Sequence, residues 1–401
     1  MNQNPKAGEA APAKQAAPQL FKKELGLETF LFPVFFFGIF VLFAWQMGLA
    51  NALNTMMNTA YALLIDVVLY LTAICVLMGA ISALLSEFGF VSLANRLLQP
   101  LMRPIYGMPG AASLGVVTTF LSDNPAILSL AEDKNFRHYF KRYQFPALTN
   151  LGTAFGMGLI VCTFMYGSST LMGKPLGGAV LIGLLGAVVG SIVSTRLMLI
   201  FTKKLYGAEE PMDAEGGSTE TPLNMRPIRP GGVSNRIMAA ILEGGHNGVK
   251  MGVSIVPGVL IICTLVMMLT QSMPAGGYTG AAYEGIGLLP WLATKIDFLL
   301  QPLFGFTSPE AVSVPVTALG AAGASLSLVT ELINQNLIGP NDIAVFTAMC
   351  MCWSGYLSTH TSMMDSLNCK ELIGKAILCH SIGGLCAGVA AHWVFVLIHL
   401  L

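Results

Sequence analysis

The chain reads as an all-α, polytopic integral-membrane protein: two inverted repeats, each with a re-entrant helical hairpin, plus one extra N-terminal span. Three observations predict this. Of the 401 residues 54% are hydrophobic and 10% charged, whereas a soluble domain carries about a quarter charged residues. The apolar residues fall in successive segments near the ~20 residues needed to cross a bilayer. Two stretches, Gly107–Glu132 and Gly305–Thr330, are too apolar for surface loops, and the first is interrupted in its middle.

The interruption is Thr118-Thr119-Phe120-Leu121-Ser122-Asp123-Asn124-Pro125. Proline removes a backbone donor and disfavours helix at the residue before it. The backbone groups so freed are tolerated at membrane depth only where protein or a watery cavity surrounds them. A re-entrant hairpin with a polar tip satisfies that condition. The second stretch lies 198 residues further on; in that register eight of 26 positions match, among them Gly107 with Gly305, Thr119 with Thr317 and Ser129 with Ser327. An internal duplication is expected.

The elements follow in order. Residues 1–28 form an Ala/Pro/Lys-rich tail, expected to be disordered and without a signal-peptide pattern. Residues 29–60 hold the first span, Leu31–Ala50, and a charge-free exterior connection, Asn51–Thr59. Repeat 1, residues 61–206, has a span over Tyr61–Leu85 and an amphipathic interfacial helix over Phe88–Tyr106. The first hairpin comes next, then a charged patch over Asp133–Arg142 and spans over Pro146–Tyr166 and Leu176–Phe201. Residues 207–235 are a hydrophilic linker rich in Pro, Gly and Glu. Repeat 2, residues 236–401, has an amphipathic piece to Val249 and a span to Ser272. A Gly-rich connection, Met273–Trp291, and a counterpart interfacial helix, Leu292–Phe304, precede the second hairpin. A span over Asn341–Met364, interrupted around Ser358-Thr359-His360-Thr361, and a last span over Ile373–Leu400 complete it.

Charge sets the orientation. With the N-terminus in the cytoplasm, all but Lys174 and Lys295 of the 21 Lys and Arg residues fall on the cytoplasmic side, as the positive-inside rule requires. The first hairpin then enters from the cytoplasm and the second from outside, which makes the repeats inverted. Net charge is zero, which argues against a nucleic-acid partner. The eight cysteines lie in or beside apolar segments with neither disulfide nor zinc spacing, and read as packing residues.

The order of parts is similar to the transport core of concentrative nucleoside transporters. The phrases GMPGAASLGVVTTFLS and GFTSPEAVSVPVTALG resemble the Gate, or nucleoside recognition, domain, shared with the membrane part of FeoB proteins and with spore maturation proteins. TTFLSDNPAI resembles bacterial membrane proteins of that family. The resemblance implies a secondary transporter in the bacterial inner membrane, a multi-pass protein that binds a small polar, nucleoside-like solute between the two re-entrant hairpin tips and works by alternating access; its partners are the lipid bilayer and that solute. It also leaves room for a homo-oligomer. No cofactor is expected; the coupling ion, H+ or Na+, stays open. Two other readings are a non-transporting assembly factor of the spore maturation type and a metal-ion permease. No G-x-x-x-x-G-K-[ST] phosphate loop occurs in the chain, and no hydrolytic constellation points to an enzyme.

Candidate solute-binding residues are the polar side chains within apolar stretches. Asp123 and Asn124 lead, because an acidic group at membrane depth needs a partner or water; the plainer alternative is that Asp123 caps the following helix. Thr118, Thr119 and Ser122 offer hydroxyls that can also bond back to their own helix. Thr149, Asn150 and Thr153 open the span after the first hairpin. Thr317 and Ser325 flank the uncharged second tip, Gly320-Ala321-Ala322-Gly323. Ser358, His360 and Thr361 occupy the later part of the corresponding span, with Asp365 five residues beyond His360.

Overall fold

The computed structural model describes residues 24–124, 126–132, 134–137, 139–210, 212 and 228–400. Most of the expected tail and linker therefore lies outside the described residues, as does Pro125. The described chain is helical throughout, and six of its helices are long and apolar enough to cross a membrane.

Helix α1 (Leu27–Met47) presents most of its aliphatic and aromatic residues to the surroundings and buries only Phe43 and Met47. Gly48, at φ 78°, turns the chain into α2 (Leu49–Ala62), so the expected connection Asn51–Thr59 is helical. Asn51 and Asn58 donate from α2 to the carbonyls of Tyr278 and Gly280 (3.2 and 2.8 Å), anchoring the Gly-rich connection of repeat 2. A π-helical segment, Leu63–Val68, joins α2 to α3 (Leu69–Glu87). Then come α4 (Phe90–Leu101), a π-turn to Tyr106, and the first hairpin, α5 (Ala112–Leu121) and α6 (Ala126–Glu132). The short α7 (Lys134–Arg137) precedes a broken span, α8 (Ala147–Thr153) and α9 (Gly158–Gly167), followed by α10 (Ser169–Met172) and the long α11 (Gly177–Tyr206).

Repeat 2 opens with α12 (Val233–Ser254), a π-helical segment Gly258–Cys263 and α13 (Thr264–Thr270), so the expected amphipathic piece and span are nearly one continuous rod. Helices α14 (Leu288–Lys295) and α15 (Asp297–Phe304) lead to the second hairpin, α16 (Ser313–Ala318) and α17 (Ala322–Asn334). A second broken span follows, α18 (Pro340–Cys352) and α19 (Tyr356–Ser366), then α20 (Ile373–Leu400).

Here the structure corrects the sequence reading. The expected break at Ser358–Thr361 is helical, and the interruption lies at Trp353–Gly355. Gly355, at φ 68°, takes a left-handed conformation that stops α18 and restarts the chain as α19. The sequence drew attention to the polar cluster; the backbone breaks where the glycine is.

The duplication shows in the backbone itself. Left-handed residues recur at the 198-residue offset: Gly89 with Gly287, Gly107 with Gly305, and Met157 with Gly355. Side-chain amides cap the second pair alike, Gln144 donating to the Gly107 carbonyl (2.9 Å) and Asn341 to that of Gly305 (2.8 Å). The inversion is visible as well. Helices α11 and α20 hold equivalent places and pack against each other along their lengths. Gly186 faces Ala387 and Ala391, Gly190 faces Gly383 and Ala387, and Ser194 bonds His380. Rising numbers on one helix meet falling numbers on the other, so the two repeats run antiparallel.

The other extensive packing is α3 on α12. A Cβ on Gly79 would stand 2.4 Å from the Gly244 carbonyl oxygen, and one on Gly248 would stand 2.3 Å from that of Cys75. Between helices in lipid the hydrophobic effect offers little, and such close backbone approach supplies van der Waals contact instead.

Candidate functional site

The breaks of the two broken spans and the two hairpin tips gather around Ser354 and Gly355, which stand between the tips. The first tip leaves helix at Ser122, where φ −132° and ψ −109° end α5. Asp123 then turns inward on its own chain: its Oδ1 accepts the Asn124 amide at 2.7 Å. This bond ties the tip to itself; it is not the N-cap bond of the following helix, which would run to an amide two or three residues on.

Asn124 is 2% exposed and reaches across to the other repeat. Its Nδ2 donates to the Ser354 carbonyl (2.8 Å) and to Ser354 Oγ (3.1 Å). Ser354 Oγ lies 3.2 Å from the Thr153 carbonyl, at the end of α8. Gly156 makes this possible, since a Cβ there would come within 2.0 Å of Asn124 Oδ1 and 2.4 Å of Ser354 Oγ. On the far side, the Gly355 amide donates to the Ala318 carbonyl of α16 (3.1 Å). A Cβ on Gly355 would lie 3.1 Å from the Gly320 carbonyl. The first tip, the break in the second broken span and the second tip thus form one continuous contact. Ser354 and Gly355 fill the space between the tips.

The open space lies to one side of the first hairpin. A cavity of about 440 Å3 separates α5 from α3 and α12. Thr118, Ser122, Ser82 and Asn247 line it, with Arg229 and Glu243 at one end. Thr118 and Ser122 spend their protons on the carbonyls of Leu114 (2.8 Å) and Thr118 (2.9 Å), one turn back. What they offer a ligand is acceptor lone pairs. At the cavity's end Glu87, 4% exposed, receives Arg229 Nη1 (2.6 Å) and Arg236 Nε (2.7 Å), and Arg229 Nη2 also reaches Glu243 (2.6 Å).

The other expected residues scatter. Thr119 bonds the Gly115 carbonyl (2.8 Å) and Thr149 that of Pro146 (2.8 Å), each within its own helix. Asn150 faces away from the tips: Nδ2 donates to Ser194 Oγ and to the Ala376 carbonyl, both at 3.0 Å. Ser325 bonds Ala322 and the Cys350 sulfur. Thr361 bonds the carbonyl of Leu357. The side chain of Ser358 lies outside the described residues. Thr153 Oγ1 and Thr317 Oγ1 are buried without a hydrogen-bond partner among the described residues. His360 does not pair with Asp365, which instead meets Lys370 at 2.8 Å near the surface. An interval of five residues points two helical side chains apart, and Asp365 is the more exposed.

Sequence reasoning missed Ser354, Gly156, Ser194 and His380. The signal for the first two was present, because the 198-residue register carries Phe155-Gly156-Met157 onto Trp353-Ser354-Gly355. It places an aromatic, a small residue and a left-handed turn at the same point of each repeat.

No curated protein sequence matches the chain. Solved structures of CNTnw, a concentrative nucleoside transporter, align with it at low identity. An inward-facing substrate-bound state is 13% identical, covering 80% of this chain and 74% of that one at a TM-score of 0.49. An outward-facing double variant is 14% identical, covering 81% and 75%, also at 0.49. A family model named Gate, described as nucleoside recognition, matches residues 67–169, from α3 through the first hairpin to the end of α9. The segment that carries Thr118, Ser122 and Asn124 is therefore the part of the chain that is similar to the Gate model, within a chain whose described residues include six helices long and apolar enough to cross a membrane.

Proposed function

We propose that the protein is a secondary transporter of a small, polar, uncharged solute of nucleoside-like character, bound in the cavity beside the first hairpin. The observation that carries this reading is the cavity itself. At about 440 Å3 it falls within the ~300–1,000 Å3 of small-molecule sites. Its wall is mostly apolar, from residues such as Met78, Leu121 and Met251, with hydroxyl and amide groups set among them and charge at its Arg229–Glu243 end. The Gate match over residues 67–169 covers the hairpin that forms one wall.

In this reading the linker side of the molecule is cytoplasmic, in a bacterial inner membrane, because the basic residues collect there. The cavity then opens toward the cytoplasm past Arg229. Alternating access consists of the two hairpins moving against the antiparallel α11–α20 core. The Asn124–Ser354 bond and the Gly355–Ala318 bond hold the tips together on the occluded side.

A thermal-shift screen of the purified full chain against nucleosides, nucleobases, amino acids and divalent metals tests this. A ligand at a hundred times its Kd stabilises by about 2.7 kcal/mol. Stabilisation by a nucleoside, weakened by Ser122→Leu and followed by uptake into proteoliposomes, is the expected result. Stabilisation by a divalent metal alone would replace the reading with a metal permease. No stabilisation and no uptake of any of these solutes would leave the assembly-factor reading.

A further inference from the structure

We propose that His360 is a proton-binding site, neutral in the conformation described here and protonated in a second conformation that opens the junction between α19 and α20. The inference deepens the transport reading, in that it makes the proton the coupling ion.

The argument begins with the neighbour of His360, not with His360 itself. His380 of α20 is 1% exposed and fully engaged. Its Nε2 lies 2.5 Å from the Cys352 carbonyl, which can only accept, so Nε2 carries the proton. In the neutral ring Nδ1 is then an acceptor, and it takes the Ser194 hydroxyl at 3.1 Å. Ser194 Oγ in turn accepts from Asn150 Nδ2 at 3.0 Å. The chain Asn150, Ser194, His380, Cys352 carbonyl runs in one direction with every donor matched. A proton added to His380 would reverse one of those bonds.

His360 is the contrast. It is 0% exposed, its ring 4.6 Å from that of His380 and 5.9 Å edge-on to Tyr356. Neither nitrogen has a well-formed hydrogen bond among the described residues, the Tyr356 carbonyl one turn back offering only a poorly aligned one. A buried polar group left in this state costs free energy unless something completes it. His360 is fully buried, and the cavity beside the first hairpin does not include it in its lining. A proton is the one ligand that needs no volume.

The charged surroundings fit an alternating site. The elements packed on α19 are α8, α20 and the Lys370–Leu372 turn. Helix α8 carries no titratable side chain, and α20 presents His380 and Cys379. The turn brings Lys370 and Glu371, which are engaged with Asp365 and Tyr206. On α19 itself Tyr356 is bonded to Ser381. Among the described residues no carboxylate faces His360 to hold an imidazolium in this conformation, and a buried ring without such a partner is costly to charge. Protonation therefore requires the α19–α20 contact to part and admit water. The step is simple: a proton from the aqueous phase adds to one ring nitrogen of His360, and no bond of the protein is broken. The state that exposes His360 gains population as pH falls, and the state described here loses it.

The test uses the full chain in lipid nanodiscs, without any solute. Amide hydrogen exchange over Trp353–Ser366, corrected for its intrinsic pH dependence, is followed from about pH 7.5 to about pH 5.5, the window in which an exposed imidazole titrates. Exchange there is expected to rise about fivefold or more in the native protein, reporting local opening. The rise should vanish in His360→Gln and in His360→Phe, the second keeping a ring in place should the first fold poorly. It should persist in Tyr356→Phe. A flat profile in the native protein overturns the proposal, as does a rise of equal size in either His360 variant. Since no solute enters the measurement, a failed uptake assay and a failed proton site give different results.

Discussion

Asn124 Nδ2 donates to the carbonyl of Ser354 at 2.8 Å, joining two residues 230 apart in sequence and on opposite inverted repeats. Both are buried, so neither has water as a substitute partner. Asn124→Ala leaves the Ser354 carbonyl without its donor, which costs about 1–3 kcal/mol for a buried group. The expected result is a lower melting temperature in detergent. Ser354→Ala removes only the hydroxyl and should cost less. A double-mutant cycle on the two should give a coupling of about 0.5–3 kcal/mol; independent effects would mean that the tips are held by something else.

Close packing of α3 on α12 makes a second prediction. Gly79→Ala places a methyl 2.4 Å from the Gly244 carbonyl oxygen, where backbone and not a flexible side chain must yield. Gly245→Ala meets only a Val76 methyl at 3.7 Å, an ordinary contact. The first variant should lose most of its folded yield and the second almost none. Equal yields would show that the helices separate more easily than their packing implies.

Glu284 sets a pH dependence on the Gly-rich connection of repeat 2. Burial alone would raise its carboxyl. The Thr279 hydroxyl and the amides of Thr279, Gly280 and Ala281 outweigh burial and hold it below the usual range. Thr55 of α2 adds a contact at 3.3 Å. A carboxyl depressed in the folded state contributes stability above its unfolded value, near 4.5, and loses it as pH falls through the folded value. Proteolysis within residues 276–286 should therefore accelerate only well below pH 4.5, and Glu284→Gln should show that faster rate already at neutral pH. A Gln variant as resistant as the native protein would remove the clamp.

How much of this was legible follows from particular residues. The hairpins were, because a proline and a polar run inside an apolar stretch have few structural solutions in lipid. The repeat was, because Gly107 and Gly305 keep their spacing for a backbone reason: both are left-handed. The contact at Ser354 was legible only through the 198-residue register, which sets Ser354 on Gly156. Serine is common in membrane helices, and nothing local marks this one until Gly355 is known to break the helix beside it. His360 drew attention as an imidazole in an apolar run, yet Asp365, the nearest acid in sequence, was the wrong partner. The ring packs against His380, twenty residues further along, by a helix contact that sequence spacing does not encode. The cavity was equally hidden, since α12 joins its wall from the far side of the linker.

Topology can be tested without a ligand. Tags within residues 213–227 should be cytoplasmic, while tags within residues 276–284 should be exterior, as the distribution of Lys and Arg requires. The antiparallel packing of α11 and α20 demands opposite orientations for the two repeats. Finding both tags on one side would contradict that packing.

Asp123 separates backbone bonding at the tip from solute binding. Its Oδ1 accepts the Asn124 amide at 2.7 Å, a role the side-chain carbonyl oxygen of Asn can also fill. Asp123→Asn should therefore leave melting temperature and membrane yield within about 0.5 kcal/mol of the native protein. If the carboxylate serves the cavity, binding of the stabilising solute weakens by the worth of one charge-assisted hydrogen bond, about 1.5–3 kcal/mol, or roughly ten- to a hundredfold in Kd. Asp123→Leu removes backbone bond and charge together and cannot distinguish the two. Unchanged affinity in the Asn variant, with unchanged stability, makes Asp123 a backbone partner alone; the polar contacts to solute would then rest on Ser82, Thr118, Ser122 and Asn247.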